Sequence, residues 1–143
     1  MESSTSTAAQ NAASQRRIVE EAQGQGRIDV VDELFADDFV DHTPFPGINP
    51  DREGVKQLFG AIRAAFPDHD AEIQHMVAEG DLVATSKTLT GTHEGEWMGI
   101  PPTGRRVTIR VMDYVRYRDG RGTEHWNIVD VAGMLAQLGV EPG

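Results

Sequence analysis

The residues able to do chemistry gather near the end of the chain: Asp113, then Glu124-His125-Trp126-Asn127-Ile128-Val129-Asp130, with an earlier histidine at His42. Carboxylates and imidazoles together are the equipment of general acid/base catalysis, in which a positioned group takes a proton from a reacting atom and later returns it. Val107, Ile109, Val111, Val115 and Tyr117 alternate onto one face of a strand, and Asp113 falls among them. A carboxylate there must be paired, hydrogen-bonded or protonated; it is either a working acid or an anchor for nearby backbone. His125 and Asn127 share one face of the following strand, while Glu124, Trp126, Ile128 and Asp130 share the other. Beside Trp126 and Ile128, Asp130 starts in a low-dielectric setting that raises a carboxyl pKa towards the range useful for proton transfer. The same Asp130 stands just before Val131-Ala132-Gly133-Met134-Leu135, where it would cap a helix. His125 reads equally as a core histidine satisfied by one carbonyl, and Asp41-His42-Thr43 as local side-chain bonding around a turn.

Other chemistries find no support. There is no P-loop, no glycine-rich dinucleotide fingerprint and no Gly-x-Ser-x-Gly nucleophile elbow. With no cysteine and no histidine pair at one-turn helical spacing, no metal site is expected. A formal net charge of −10 argues against nucleic acid, whose binding rests on Lys and Arg neutralising phosphates. The local cluster Arg105, Arg106, Arg110, Arg116, Arg118 and Arg121 reads as a solvated or dimer-facing strand surface. No apolar run approaches the length of a membrane span. The absence of cysteine fits a reducing, cytoplasmic setting.

The elements that must position these groups follow from periodicity. The Met1-to-Ala13 stretch has neither a basic start nor an apolar run and reads as a disordered tail, leaving 14–143 as one domain. A helix with a Ser14 cap over 14–25 and a shorter one over 29–35 precede a strand at Phe39–Thr43 that Pro44 stops. The strongest helix covers 51–65, where Val55, Leu58, Phe59, Ile62 and Ala65 recur at helical spacing, and Pro67 ends it. The period then falls to two. Strands 71–77 and 82–93 form a hairpin about Glu79-Gly80-Asp81, with His75 on the apolar parity and His69 expected to face solvent. The loop 95–104 carries Trp97, Met98 and Ile100, which serve as cavity wall or lid as readily as core or dimer contact. Strands over 107–118 and 123–130 and a terminal helix over 131–138, stopped by Gly139, complete an α+β pattern with helices packed on a curved, mainly antiparallel sheet.

Three stretches taken together, Phe35-Ala36-Asp37-Asp38-Phe39-Val40-Asp41-His42, Gly91-Thr92-His93-Glu94-Gly95-Glu96-Trp97-Met98-Gly99-Ile100-Pro101-Pro102-Thr103-Gly104, and Glu124-His125-Trp126-Asn127-Ile128-Val129-Asp130, resemble the SnoaL-like polyketide cyclase or ester cyclase family of the NTF2-like superfamily. The resemblance implies an NTF2-like cone-shaped barrel with a deep apolar pocket for a hydrophobic or aromatic small molecule. It implies no metal or organic cofactor, and a homodimer or higher assembly. It also implies aldol-type ring closure, in which an Asp exchanges a proton with a carbon beside a carbonyl. Carried onto this chain, it puts Asp130 first as the acid/base, with His125 and Asp113 as catalytic partners. His42, Asn127, Trp126, Phe59, Trp97, Met98 and Tyr114 become substrate contacts. One departure stands out: many family members carry an acid where this chain has Asn127, and an amide does not exchange protons at neutral pH. The superfamily also holds cyclase-like hydroxylases of polyketide rings and small-ligand-binding members without catalysis, and fold alone does not choose among them.

Overall fold

The computed structural model describes residues 6–140. Helix α1 (Ala8–Arg17) starts earlier than the Ser14 cap and the tail expected to residue 13. Thr7 accepts from the Gln10 backbone N–H at 3.1 Å while the Gln10 side chain accepts from the Thr7 N–H at 2.8 Å, a reciprocal capping box. Ser14 lies inside the helix and donates to the Gly120 carbonyl at 2.8 Å; residues 1–5 of the expected tail lie outside the described residues. The helix widens into a π-type segment, Ile18–Gly24, that buries Ile18, Val19, Ala22 and Gln23. After α2 (Asp29–Leu34) and β1 (Phe35–Asp41), helix α3 (Arg52–Ala65) begins at Asp51, whose side chain accepts from Gly54 N–H at 2.9 Å.

Four strands follow, β2 (Asp70–Glu79), β3 (Leu82–Thr92), β4 (Arg106–Arg118) and β5 (Arg121–Val129), and then helix α4 (Val131–Gln137). They form one sheet in the order β1-β5-β4-β3-β2, antiparallel except for the β1/β5 pair. The architecture is the α+β, NTF2-like arrangement: one sheet face carries the helices and the cavity, the other is uncovered among the described residues. Gln137 clamps α4 to the sheet, accepting from Thr108 N–H at 2.7 Å and donating to the Thr108 carbonyl at 2.8 Å.

The core divides in two. On β4, Val107, Ile109 and Val111 pack into one apolar cluster and Val115 and Tyr117 into a second, with Asp113 between them. On β3, Leu89 belongs to the first and Val83 to the second, with Thr85 and Lys87 between. Polar residues therefore run across the sheet along the seam of the two clusters. A register shift between Ile73 and His75 on β2 reverses the expected alternation, so His75 is exposed rather than packed in the core. Among the described residues no helix is long and apolar enough to cross a membrane.

Candidate functional site

The helix-covered face of the sheet bounds a predominantly apolar cavity that is partly open to solvent. Its walls are aromatic and aliphatic, among them Phe35, Phe39, Phe59, Trp97, Val111 and Met134. Its polar side comes from adjacent strands. Asp41 pairs in parallel register with His125, bringing both side chains to the same face. His125 lies diagonally from Asp113, which is directly opposite Asn127, and Lys87 is in turn diagonal to Asp113, which faces Thr85.

The result is a chain of alternating charge. Asp41 Oδ1 accepts from His125 Nδ1–H at 2.9 Å, and His125 Nε2–H donates to Asp113 Oδ1 at 2.8 Å. Asp113 Oδ2 accepts from Lys87 Nζ, which also donates to Gln23 Oε1 at 2.6 Å. With a carboxylate on each ring nitrogen, His125 must donate from both, which requires the imidazolium. Burial pushes its pKa down, but the bonds to Asp113 and Asp41 outweigh burial and raise it to about 9. Burial pushes Asp113 up, but the Lys87 charge and His125 outweigh it and hold the carboxyl well below the ordinary carboxylate range. Asp113 is thus a fixed counter-ion with both oxygens engaged, not a group poised to take a proton.

Asp41 differs. Its Oδ1 accepts from His125 and from Thr43 N–H at 3.0 Å, while Oδ2 has no hydrogen-bond partner among the described residues. Thr43 Oγ1 accepts from Asn127 N–H at 2.9 Å and donates to Asn127 Oδ1 at 2.9 Å, while the Asn127 Nδ2 hydrogens have no partner among the described residues. Asp41, Thr43 and Asn127 all line the cavity. A carboxylate and an amide, each with polar atoms that have no partner among the described residues, are thus joined through Thr43 at its polar end.

Of the residues singled out from sequence, Asp113, His125, Asn127, Phe59 and Trp97 line the cavity. Trp97 is buried, its indole N–H directed to Met134 Sδ at 3.3 Å. The others do not. Asp130 is exposed and caps α4, accepting from Gly133 N–H at 2.9 Å, so the capping role open to it in the sequence is the one it occupies. His42, Trp126 and Tyr114 lie on the outer face because strand alternation turns each away from its inward neighbour. There His42 stacks on Trp126 with centroids 4.7 Å apart and its Nε2 pairs with Glu124 at 3.0 Å, while Tyr114 meets Trp126 edge-on at 5.8 Å. Met98 sits half exposed at φ 54° in the tight turn between the bridged Trp97 and Ile100. Sequence reasoning passed over Asp41, Lys87, Gln23 and His69 as cavity residues. Lys87 was detectable, since it shares the inward parity of Val83 and Leu89.

An apolar cavity with one charged, hydrogen-bonded side, set on the helix-covered face of an NTF2-like sheet, is the form of a small-molecule site. The chain belongs to the SnoaL-like polyketide cyclase family, whose model matches residues 13–138. It is 33% identical over 117 residues to nogalonic acid methyl ester cyclase of Streptomyces nogalater, covering 80% of this chain and 87% of the relative. Among solved structures, IdmH of Streptomyces antibioticus, a candidate polyketide cyclase, is 41% identical with a TM-score of 0.80, covering 92% of this chain and 99% of that one. AclR of Streptomyces galilaeus, a candidate hydroxylase, is 29% identical with a TM-score of 0.84, covering 96% of this chain and 89% of that one.

Proposed function

We propose that this protein is a cofactor-independent polyketide ester cyclase that closes a ring by intramolecular aldol addition, with Asp41 as the acid/base. The observation that carries the reading is the pairing of Asp41 and Asn127 through Thr43 at the polar end of an apolar cavity, with Asp41 Oδ2 and Asn127 Nδ2 unpartnered among the described residues. Asp41 Oδ2 takes a proton from a carbon flanked by carbonyls, and the electron pair moves into an enolate whose oxygen accepts from Asn127 Nδ2–H. The enolate carbon attacks a ketone carbonyl of the same molecule, forming the C–C bond. The new alkoxide recovers the proton from the Asp41 carboxylic acid, so atoms and charge balance with no external reductant or oxidant. A carbon between two carbonyls is acidic enough for a carboxylate to suffice. Asn127 acts as a donor here, so the missing acid at that position is supplied from β1.

Turnover of nogalonic acid methyl ester by the purified protein is the test. Asp41→Asn should cut kcat by about 100-fold or more, the usual contribution of a positioned acid/base, and Asp130→Ala should leave kcat within about two-fold. Equal turnover by Asp41→Asn and the unsubstituted protein overturns the assignment. Likeness to AclR favours one alternative, hydroxylation of the same ligand class. That chemistry consumes oxygen and yields a product one oxygen atom heavier, and cyclisation persists under anaerobic conditions.

The reading extends to a cytoplasmic homodimer. Val77, Tyr114 and Trp126 fall on one row across β2, β4 and β5, and Ile128 and Met112 beside them are 75% and 56% exposed. An exposed apolar patch flanked by arginines on the outer sheet face fits a second copy related by two-fold symmetry.

A further inference from the structure

Five buried side-chain atoms have no hydrogen-bond partner among the described residues: Asn11 Oδ1, His69 Nε2, Thr85 Oγ1, His93 Nε2 and Arg121 Nε. A buried polar atom left unpaired costs on the order of 1–3 kcal/mol, so each calls for a reason. Of these residues only His69 lines the cavity. His93 has a structural use: its Nδ1 accepts from Thr103 N–H at 3.2 Å and ties down the 94–104 loop. The His69 side chain has no such bond among the described residues, and the residue is 7% exposed.

The backbone that carries the ring is fixed. His69 N–H donates to the Phe66 carbonyl at 2.9 Å, and the preceding Asp68 accepts from Thr92 N–H and Thr92 Oγ1–H, both at 2.7 Å. Gly91 allows this close approach, since a Cβ there would lie 2.8 Å from the Phe66 Cβ. Burial and the nearby Arg63 charge depress the imidazole pKa, so the ring is neutral and has one N–H and one lone pair to offer. It is suited to a hydroxyl or carbonyl oxygen rather than to an anion.

Position gives the interaction its meaning. Asp41 ends β1 and His69 immediately precedes β2, the two edge strands of the five-stranded sheet. The row from Asp41 runs through His125, Val115 and Val83 to Ala78 of β2, so Asp41 and His69 stand at opposite edges of the sheet and far apart along its strands. We propose that His69 is a second oxygen-binding point of the cavity, holding a hydroxyl or carbonyl at the far end of an extended, polyoxygenated polycyclic ligand whose reacting end lies at Asp41. The proposal deepens the cyclase reading and rests on it for the position of the reacting end.

The probe is emodin, a hydroxylated anthraquinone that the proposed chemistry does not convert. His69→Phe keeps the ring shape without its nitrogens, and His69→Gln keeps a donor and an acceptor. Emodin should bind His69→Phe at least about ten-fold more weakly than the unsubstituted protein and His69→Gln within about three-fold, the scale of one lost hydrogen bond. The His69 imidazole nitrogen resonances should move when emodin is added, and His69→Phe should melt no lower than the unsubstituted protein without ligand. Emodin affinity unchanged in His69→Phe overturns the proposal; so do equal losses in both variants with a lowered Tm, and so does failure of the unsubstituted protein to bind emodin. His69-dependent binding alongside no turnover of nogalonic acid methyl ester would sink the cyclase reading and leave the subsite standing.

Discussion

Three pairs of sequence neighbours divide between two environments: Asp41/His42, Asp113/Tyr114 and His125/Trp126. The first member of each points into the cavity and the second onto the outer face of the same strands. Inside, the three form charge-assisted bonds of 2.8–2.9 Å walled in by apolar residues. Outside, the three form a stack of rings at 4.7 and 5.8 Å within reach of solvent. Similar polar and aromatic residues, one position apart, thus become an electrostatic device on one side and an adhesive surface on the other. Burial of charge makes the inner set sensitive to substitution, while the outer set depends on what covers it.

That contrast can be broken hardest at Asp113. Asp113→Asn leaves Lys87 buried without its counter-ion and should cost about 3–5 kcal/mol in denaturant unfolding, whereas adding Lys87→Met to Asp113→Asn, which keeps an acceptor for His125 Nε2–H, should recover much of that loss. Loss of stability in the double variant equal to that of Asp113→Asn would count against the counter-ion role.

A pH series probes the next bond. The folded His125 pKa of about 9 lies above its unfolded value, so its stabilisation is complete below about pH 6.5 and fades as pH rises through 9. The shift corresponds to roughly 2–4 kcal/mol, visible as a fall in the denaturant midpoint between neutral and alkaline pH that His125→Asn abolishes. Asp113, with its depressed pKa, adds stability above the ordinary carboxylate range that is lost only in strong acid. A midpoint as steep in His125→Asn as in the unsubstituted protein would remove His125 as the source.

The smallest effect on the chain itself belongs to the outer face. Ile128→Glu should change monomer stability by no more than about 0.5 kcal/mol and leave kcat intact, yet halve the sedimenting mass. An unchanged mass would deny that this face meets a second copy.

Much of this was legible in the sequence, and the failures have physical causes. Asp113 stood out because four of its parity partners are Val or Ile, and Gly139 and Pro67 marked real helix ends. Asp130 misled because low-dielectric neighbours in sequence are not neighbours in space once the chain turns into a helix. Asp41 was passed over for His42 because β1 is short, its pairing with β5 shifts register between Phe35 and Val40, and alternation over so few residues does not declare a face. His75 needed knowledge of a bulge, and His69 of a loop folded inward, both set by tertiary contacts that no local period encodes.

The row Asp41, His125, Asp113, Lys87 carries two negative and two positive charges and sums to zero. In the reaction proposed above Asp41 takes a proton from the ligand, and the row would then carry one net positive charge as the ligand acquires one negative charge. The protein thereby becomes the counter-ion of its own intermediate, and the cavity as a whole stays neutral throughout the reaction. An enolate born there has no electrostatic reason to leave before the new bond forms, and water need not enter to solvate it.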